Sequence, residues 1–237
     1  MIHPQDYFDL SDEIAYSLFT DSKYVWDALS KIDYHIERLA GKEKTILGEL
    51  MPGVFLGKGP LYIADGARIE PGAFVDGPAF IGPGAIVRHG AYIRGKVILL
   101  SGSVLGHASE AKNCILLPNA RAPHFAYVGD SILGHRVNLG AGTKLSNVAI
   151  VSMKDLVSGQ RTTIKVRIDG SEYDTGLEKL GAILGDDVQT GCNAVLNPAC
   201  FVGPRTLIYP NLSLRKGFYP ADSIIKLNQE VSVVNRV

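Results

Sequence analysis

From Ile63 to Leu105 an aliphatic residue returns at every sixth position: Ile63, Ile69, Val75, Ile81, Val87, Ile93, Leu99 and Leu105. Small and turn-forming residues fill the intervals, as in Glu70-Pro71-Gly72-Ala73-Phe74. A period of six suits neither a 3.6-residue helix nor a simple alternating hairpin. It suits short strands joined by tight turns, each strand sending one aliphatic side chain inward. Three such strands close a coil of about 18 residues, and successive coils stack as parallel strands about 4.8 Å apart. The pattern predicts an all-β solenoid, a parallel β-helix of hexapeptide repeats.

The register returns at Leu133, Leu139, Leu145 and Val151, and again at Leu184, Thr190, Leu196, Val202, Ile208 and Leu214. It slips between Leu105 and Leu133, an interval that is not a multiple of six. Residues 152–183 break it outright. An alternating run, Thr162 to Ile168, and a turn at Asp169-Gly170-Ser171-Glu172 predict a β-hairpin arm thrown out from a solenoid domain spanning 51–237. In solenoids such insertions gather on one face, often the binding face. Residues 1–50 are of another kind. Ser22 is placed to cap a helix over 23–40, with Trp26, Leu29, Ile32, Ile36 and Leu39 on one side and Gly41 as its stop. A shorter helix is expected around 11–19. This helical piece is expected to cap the first coil, since an open end would expose apolar edge strands; docking of a partner is the alternative.

Composition narrows the functional classes. Hydrophobic residues make up 46% and charged residues 20%, with Lys plus Arg equal to Asp plus Glu at 24 each. That balance argues against a nucleic-acid or acidic-membrane binder driven by bulk charge. No apolar run is long enough to span a membrane, and the polar start MIHPQDYFDL does not read as a signal peptide. Three cysteines, Cys114, Cys192 and Cys200, without a Cys-x-x-Cys pair suggest reduced thiols in a cytoplasmic protein.

The coil length acts as a ruler for chemistry, because residues one coil apart stack. Arg94 and Lys112 fit that spacing. Two stacked cations repel unless an anion bridges them, so the pair suits a phosphate; the alternative is two solvated charges. His89, His107 and His124 form a similar ladder. It lacks the closely spaced histidine pair and the carboxylate of hexapeptide zinc sites, so no metal is expected.

Four blocks are more specific than the hexads: Ser109-Glu110-Ala111-Lys112, Pro123 to Ser131 (PHFAYVGDS), Val137 to Asn147 (VNLGAGTKLSN) and Asp174 to Asp186. Here the chain resembles the carboxy-terminal acetyltransferase domain of the bifunctional N-acetylglucosamine-1-phosphate uridylyltransferase/glucosamine-1-phosphate acetyltransferases, in particular the archaeal sugar-1-phosphate nucleotidylyltransferase/acetyltransferases. The resemblance covers roughly residues 55–220. It implies a left-handed β-helix and an acetyl-CoA-dependent N-acetyltransferase acting on an amino-sugar 1-phosphate in UDP-N-acetylhexosamine biosynthesis. By the same resemblance, His124 falls at the general base and Asn147 at the residue that orients the amine or acyl group. Tyr127 and Asn138 fall at contacts to the amino sugar, and Arg94 and Lys112 at contacts to its phosphate. Ala141, Cys192, Tyr209 and Pro210 fall along the acetyl-CoA site. The family implies a homotrimer with the active site between subunits.

The chain departs from that pattern in three places. Val148 stands where bacterial members have Tyr. The 152–165 loop is longer than expected, so Lys154, Arg161 and Lys165 receive no individual roles. The first 50 residues are too few for a nucleotidyltransferase domain, which predicts no pyrophosphorylase activity in this chain. A non-catalytic sugar-nucleotide-binding subunit, docked on a separate nucleotidyltransferase through residues 1–50, is the competing function.

Overall fold

The hexads become strands of two to four residues that wind into three parallel sheets. The computed structural model describes residues 1–150, 154, 155, 157–159, 161–228 and 235; Val151 and the start of the arm at 152 and 153 lie outside them. The first face runs from Lys44–Ile46 to Gly217–Tyr219 with nine strands. The second runs from Glu49–Leu50 to Ile224–Ile225 with nine, and the third from Phe55–Leu56 to Ser213–Leu214 with eight. The repeat aliphatics from Ile63 to Leu105 are all fully buried along the axis. This is the hexapeptide β-helix expected from the sequence, and its first coil already begins at Lys44.

The register slip has a local cause. Inward positions run Leu105, Ala111, Leu116, Ala122, Val128, Leu133, so two corners have lost one residue each. Both lie where the chain passes from the third face to the first, at Asn113 and Asp130. Each of these residues takes a left-handed conformation, φ 45° and 47°, to close the shortened turn. Asn and Asp tolerate that region better than other side chains with a Cβ.

The helices do not close the end of the first coil. They lie along the first face, whose outward column is apolar from its second strand on: Tyr62, Phe80, Ile98, Ile115, Ile132, Ile183, Phe201 and Phe218. A column of that kind facing water must be covered. Three helices cover it: α1 (Glu13–Phe19), α2 (Asp27–Ser30) and α3 (Ile32–Ala40). The expected single helix over 23–40 is split at Lys31, and Ser22 caps neither half. Asp12 caps α1 by accepting from the Ala15 amide at 2.7 Å, and Gly41, at φ 78°, ends α3.

The arm is not thrown out either. Its hairpin pairs Lys165–Ile168 with Ser171–Asp174 across the Asp169-Gly170 turn. Both turn residues have positive φ, 50° and 79°, as a two-residue hairpin loop of this type requires. Val166 and Ile168 are then buried against the same helical layer, and Tyr173 meets Tyr24 and Trp26 edge-on or tilted. The alternating apolar side of the strand found its cover in its own chain.

Within that layer His35 is buried with neither ring nitrogen hydrogen-bonded. Burial first, then Arg38 and Lys31, lower its pKa to about 4. Because that lies below the ordinary value near 6.5, the unfolded chain binds the proton first. Its contribution is complete above about pH 6.5 and is lost as pH falls toward 4, by about 3 kcal/mol in all. His35→Leu should flatten that stretch of the stability curve in urea unfolding. An unchanged slope between pH 6.5 and 4 would contradict the assignment.

Candidate active site

The corner between the second and third faces collects half of the residues singled out by sequence. His124 ends the strand Arg121–His124 and is exposed. Each following coil adds one more: the Gly142 amide donates to the His124 carbonyl at 3.0 Å, Asn193 to Ala141 at 2.8 Å and Asn211 to Cys192 at 2.9 Å. His124, Ala141, Cys192 and Pro210 therefore climb one edge in single-coil steps, with Tyr209 exposed beside the last. The arm adds no coil, because Asn138 pairs directly with Gln189 across it. Cys192 is two steps above His124, roughly 10 Å, and Pro210 three steps, roughly 14 Å. One chain thus presents a continuous edge. Close stacking at this edge needs glycine: a Cβ on Gly140 would sit 2.5 Å from the Thr190 carbonyl oxygen.

Four more gather on the third face, toward the corner with the shortened turns. Ile93 and Ala111 are in register, so Arg94 and Lys112 stack on adjacent strands as the spacing predicts. They are not a bare cation pair, however. Arg94 donates to Glu110 at 2.6 Å, and that bond, reinforced by the carboxylate charge, raises the arginine pKa. Lys112 opens instead into a cavity of about 330 Å³ with Lys96, Asp130 and Lys179 on its wall and Leu29 and Ser30 of α2 at its rim. Asp130 is buried and holds two amides: Asn113 donates to its Oδ1 at 2.8 Å, and Asn147 donates to its Oδ2. Asn147 also meets the Tyr127 hydroxyl, which lies over Gly129. Burial, then the charges of Asp130 and Glu110, raise the Tyr127 pKa, so the phenol keeps its proton at neutral pH.

Two curated proteins are similar to the chain. A bifunctional sugar-1-phosphate nucleotidylyltransferase/acetyltransferase of Sulfurisphaera tokodaii is 34% identical over 101 residues, covering 43% of this chain and 23% of that protein. A bifunctional protein GlmU of Methanococcus maripaludis, strain S2, is 32% identical over 218 residues, covering 92% of this chain and 50% of that protein. The chain is a hexapeptide-repeat relative of these bifunctional proteins. It spans half of the GlmU relative's length and less of the other's. The profile of the GMPPB C-terminal domain matches residues 75–191. Among solved structures, the acetyltransferase domain of PglB from Neisseria gonorrhoeae FA1090 covers 78% of this chain and 58% of its own, at 12% identity and a TM-score of 0.31, too distant to carry an argument.

The candidate residues divide over two faces. Asn138 stands apart, on the second face between Arg121 below and Gln189 above, with the His124 edge separating it from Tyr127. Two rungs of the histidine ladder stack, His89 and His107 at 5.3 Å and 7°, whereas Phe125 rather than His124 meets the His107 ring, edge-on at 5.3 Å. The Nδ1 atoms of His89 and His107 meet the Pro71 and His89 carbonyls, which accept and so require a proton on each Nδ1. Among the described residues no group of three or more His, Cys, Asp or Glu is arranged to hold a metal. Burial pushes the Cys114 and Cys200 thiols up, Cys200 to about 12, whereas Cys192 is exposed. Lys154 and Arg161 bridge each other in the arm, and Lys165 lies 3.8 Å from Glu172. Asp130 and Lys179 received no role from the sequence. The slip in the hexads was the signal for Asp130, because one of the two short turns is built on it. Among the described residues no helix is long and apolar enough to cross a membrane.

Proposed function

We propose that the chain transfers the acetyl group of acetyl-CoA to the amine of an amino-sugar 1-phosphate of the glucosamine 1-phosphate type, supplying the N-acetylated sugar for a UDP-N-acetylhexosamine in the cytoplasm. The observation that supports this most is the unbroken edge from His124 through Ala141 and Cys192 to Pro210. A thin, extended thioester suits such an edge, with its acyl carbon at the His124 end. The acceptor would lie on the third face, its phosphate near Lys112, Lys179 and Arg94 and its ring against Tyr127. His124 takes the proton from the attacking nitrogen, since imidazole is the side chain that titrates near neutrality. The new N–C bond forms as the C–S bond breaks, and coenzyme A leaves with the proton. The backbone N–H of Ala141 is the candidate to hold the carbonyl oxygen as it gains charge, because those of Gly140 and Gly142 already donate to the Thr190 and His124 carbonyls. Among the described residues no histidine hydrogen-bonds Cys192, so direct attack is preferred to an acyl-enzyme.

The reading includes a homotrimer. The first face is sealed by the chain's own helices and hairpin, which leaves the second and third faces to meet other copies. A neighbour's second face would bring its Asn138 toward Tyr127, which one chain alone keeps on separate faces. Cyclic symmetry would make three equivalent sites. Sedimentation together with activity tests this: a monomer with full specific activity would rule out the shared site. Calorimetry with acetyl-CoA and glucosamine 1-phosphate separates the enzyme from a non-catalytic partner of a nucleotidyltransferase. Binding of both without transfer would favour the partner.

A further inference from the structure

The second face carries a cavity of about 450 Å³ lined by Asn119, Arg121, Arg136, Asn138 and Gln189, every one an amide or a guanidinium. Arg121, Asn138 and Gln189 form one outward column in direct register. Their spacing of about 4.8 Å lets neighbouring side chains reach different oxygens of one tetrahedral group. Arg136 is held rigid by two bonds to Asp187, at 2.7 and 2.8 Å, which also uses up the nearby carboxylate. Gln189 is fixed by donating to the Arg136 carbonyl at 3.2 Å. Among the described residues nothing engages the Arg121 guanidinium or the Asn138 amide. The adjoining positions toward His124 are Gly106, Pro123, Gly140 and Gly191, a strip with almost no side chains.

We propose that this cavity is a phosphate-ester subsite, with Arg121 as its principal ligand and Asn138, Asn119 and Arg136 as further donors. A free guanidinium beside unpartnered amides, with the local carboxylate already paired, is complementary to an anion with several acceptor oxygens. The bare strip lets a molecule held there reach the His124 edge. The identity of the ester rests on the proposed activity: in the proposed trimer a neighbour's cavity would face the acceptor phosphate on this chain's third face, and the other source is the nucleotide end of the coenzyme. The subsite itself does not rest on it.

Titration calorimetry on the full chain tests it with two probes, glucosamine 1-phosphate and adenosine 3′,5′-bisphosphate. Arg121 is exposed and unpartnered, so Arg121→Gln should unfold at the native temperature. Loss of one charge-assisted contact should weaken at least one probe by roughly tenfold or more, and Asn138→Ala should weaken the same probe. Whichever probe responds names the source of the ester. Less than a tenfold change for both probes in Arg121→Gln, or no binding of either by the native protein, overturns the subsite. Acetyl transfer by the native protein alongside that result would leave the activity standing. A tenfold loss in a protein without transfer activity would do the reverse.

Discussion

Replacing His124 by alanine should lower acetyl-transfer turnover by about 100- to 10,000-fold, the range expected when a general base is removed. The side chain is exposed at the foot of the edge and its backbone is the anchor of the next coil, through the carbonyl that accepts from Gly142. Alanine keeps that carbonyl, so the fold should persist and unfolding should occur at the native temperature. Substrate affinities should change little, because the phosphate contacts proposed here belong to other residues. The measurement is steady-state kinetics paired with a thermal melt. Native turnover in a folded variant would remove the base from the mechanism.

Trp26→Ala should cost about 3–5 kcal/mol, the usual loss for a large aromatic deleted from a packed interior. Trp26 is 1% exposed. Its ring stacks on Tyr24 at 4.9 Å, meets Phe201 of the first face edge-on at 5.6 Å and touches Tyr173 of the hairpin at 6.4 Å. It therefore joins the helices, the hairpin and the solenoid at one point. Three and four residues on from it, α2 carries Leu29 and Ser30 to the Lys112 cavity. Loosening the layer should raise KM for the acceptor more than for the thioester. Urea unfolding gives the stability change and kinetics the KM pair. A loss below about 1 kcal/mol would mean that the helices are an independent unit resting on the face.

How legible the molecule was depended on which pattern the residues obeyed. The inward aliphatics recur at a fixed interval, so the solenoid could be read directly. The site could be read only through resemblance, because Tyr127, Asn138 and Asn147 sit in outward positions where hexads impose no rule. The placement of residues 1–40 was missed, though a trace was present. Val97-Ile98-Leu99, Cys114-Ile115-Leu116, Ala182-Ile183-Leu184 and Cys200-Phe201-Val202 are apolar at all three positions, the mark of a strand buried on both sides. The hairpin's destination was hidden for a different reason. Alternation in Lys165–Ile168 shows that one side is buried, but not against what. The Arg94–Glu110 pair was invisible because spacing along the coil says nothing of the neighbouring column.

The most direct measurement of the central claim is release of free thiol from acetyl-CoA in the presence of the protein and a panel of amino-sugar phosphates. The account predicts thiol release that depends on an amino-sugar 1-phosphate, matched mole for mole by N-acetylated product, and abolished or nearly so in His124→Ala. No release with any amino-sugar phosphate, from a folded protein that binds acetyl-CoA, would contradict it.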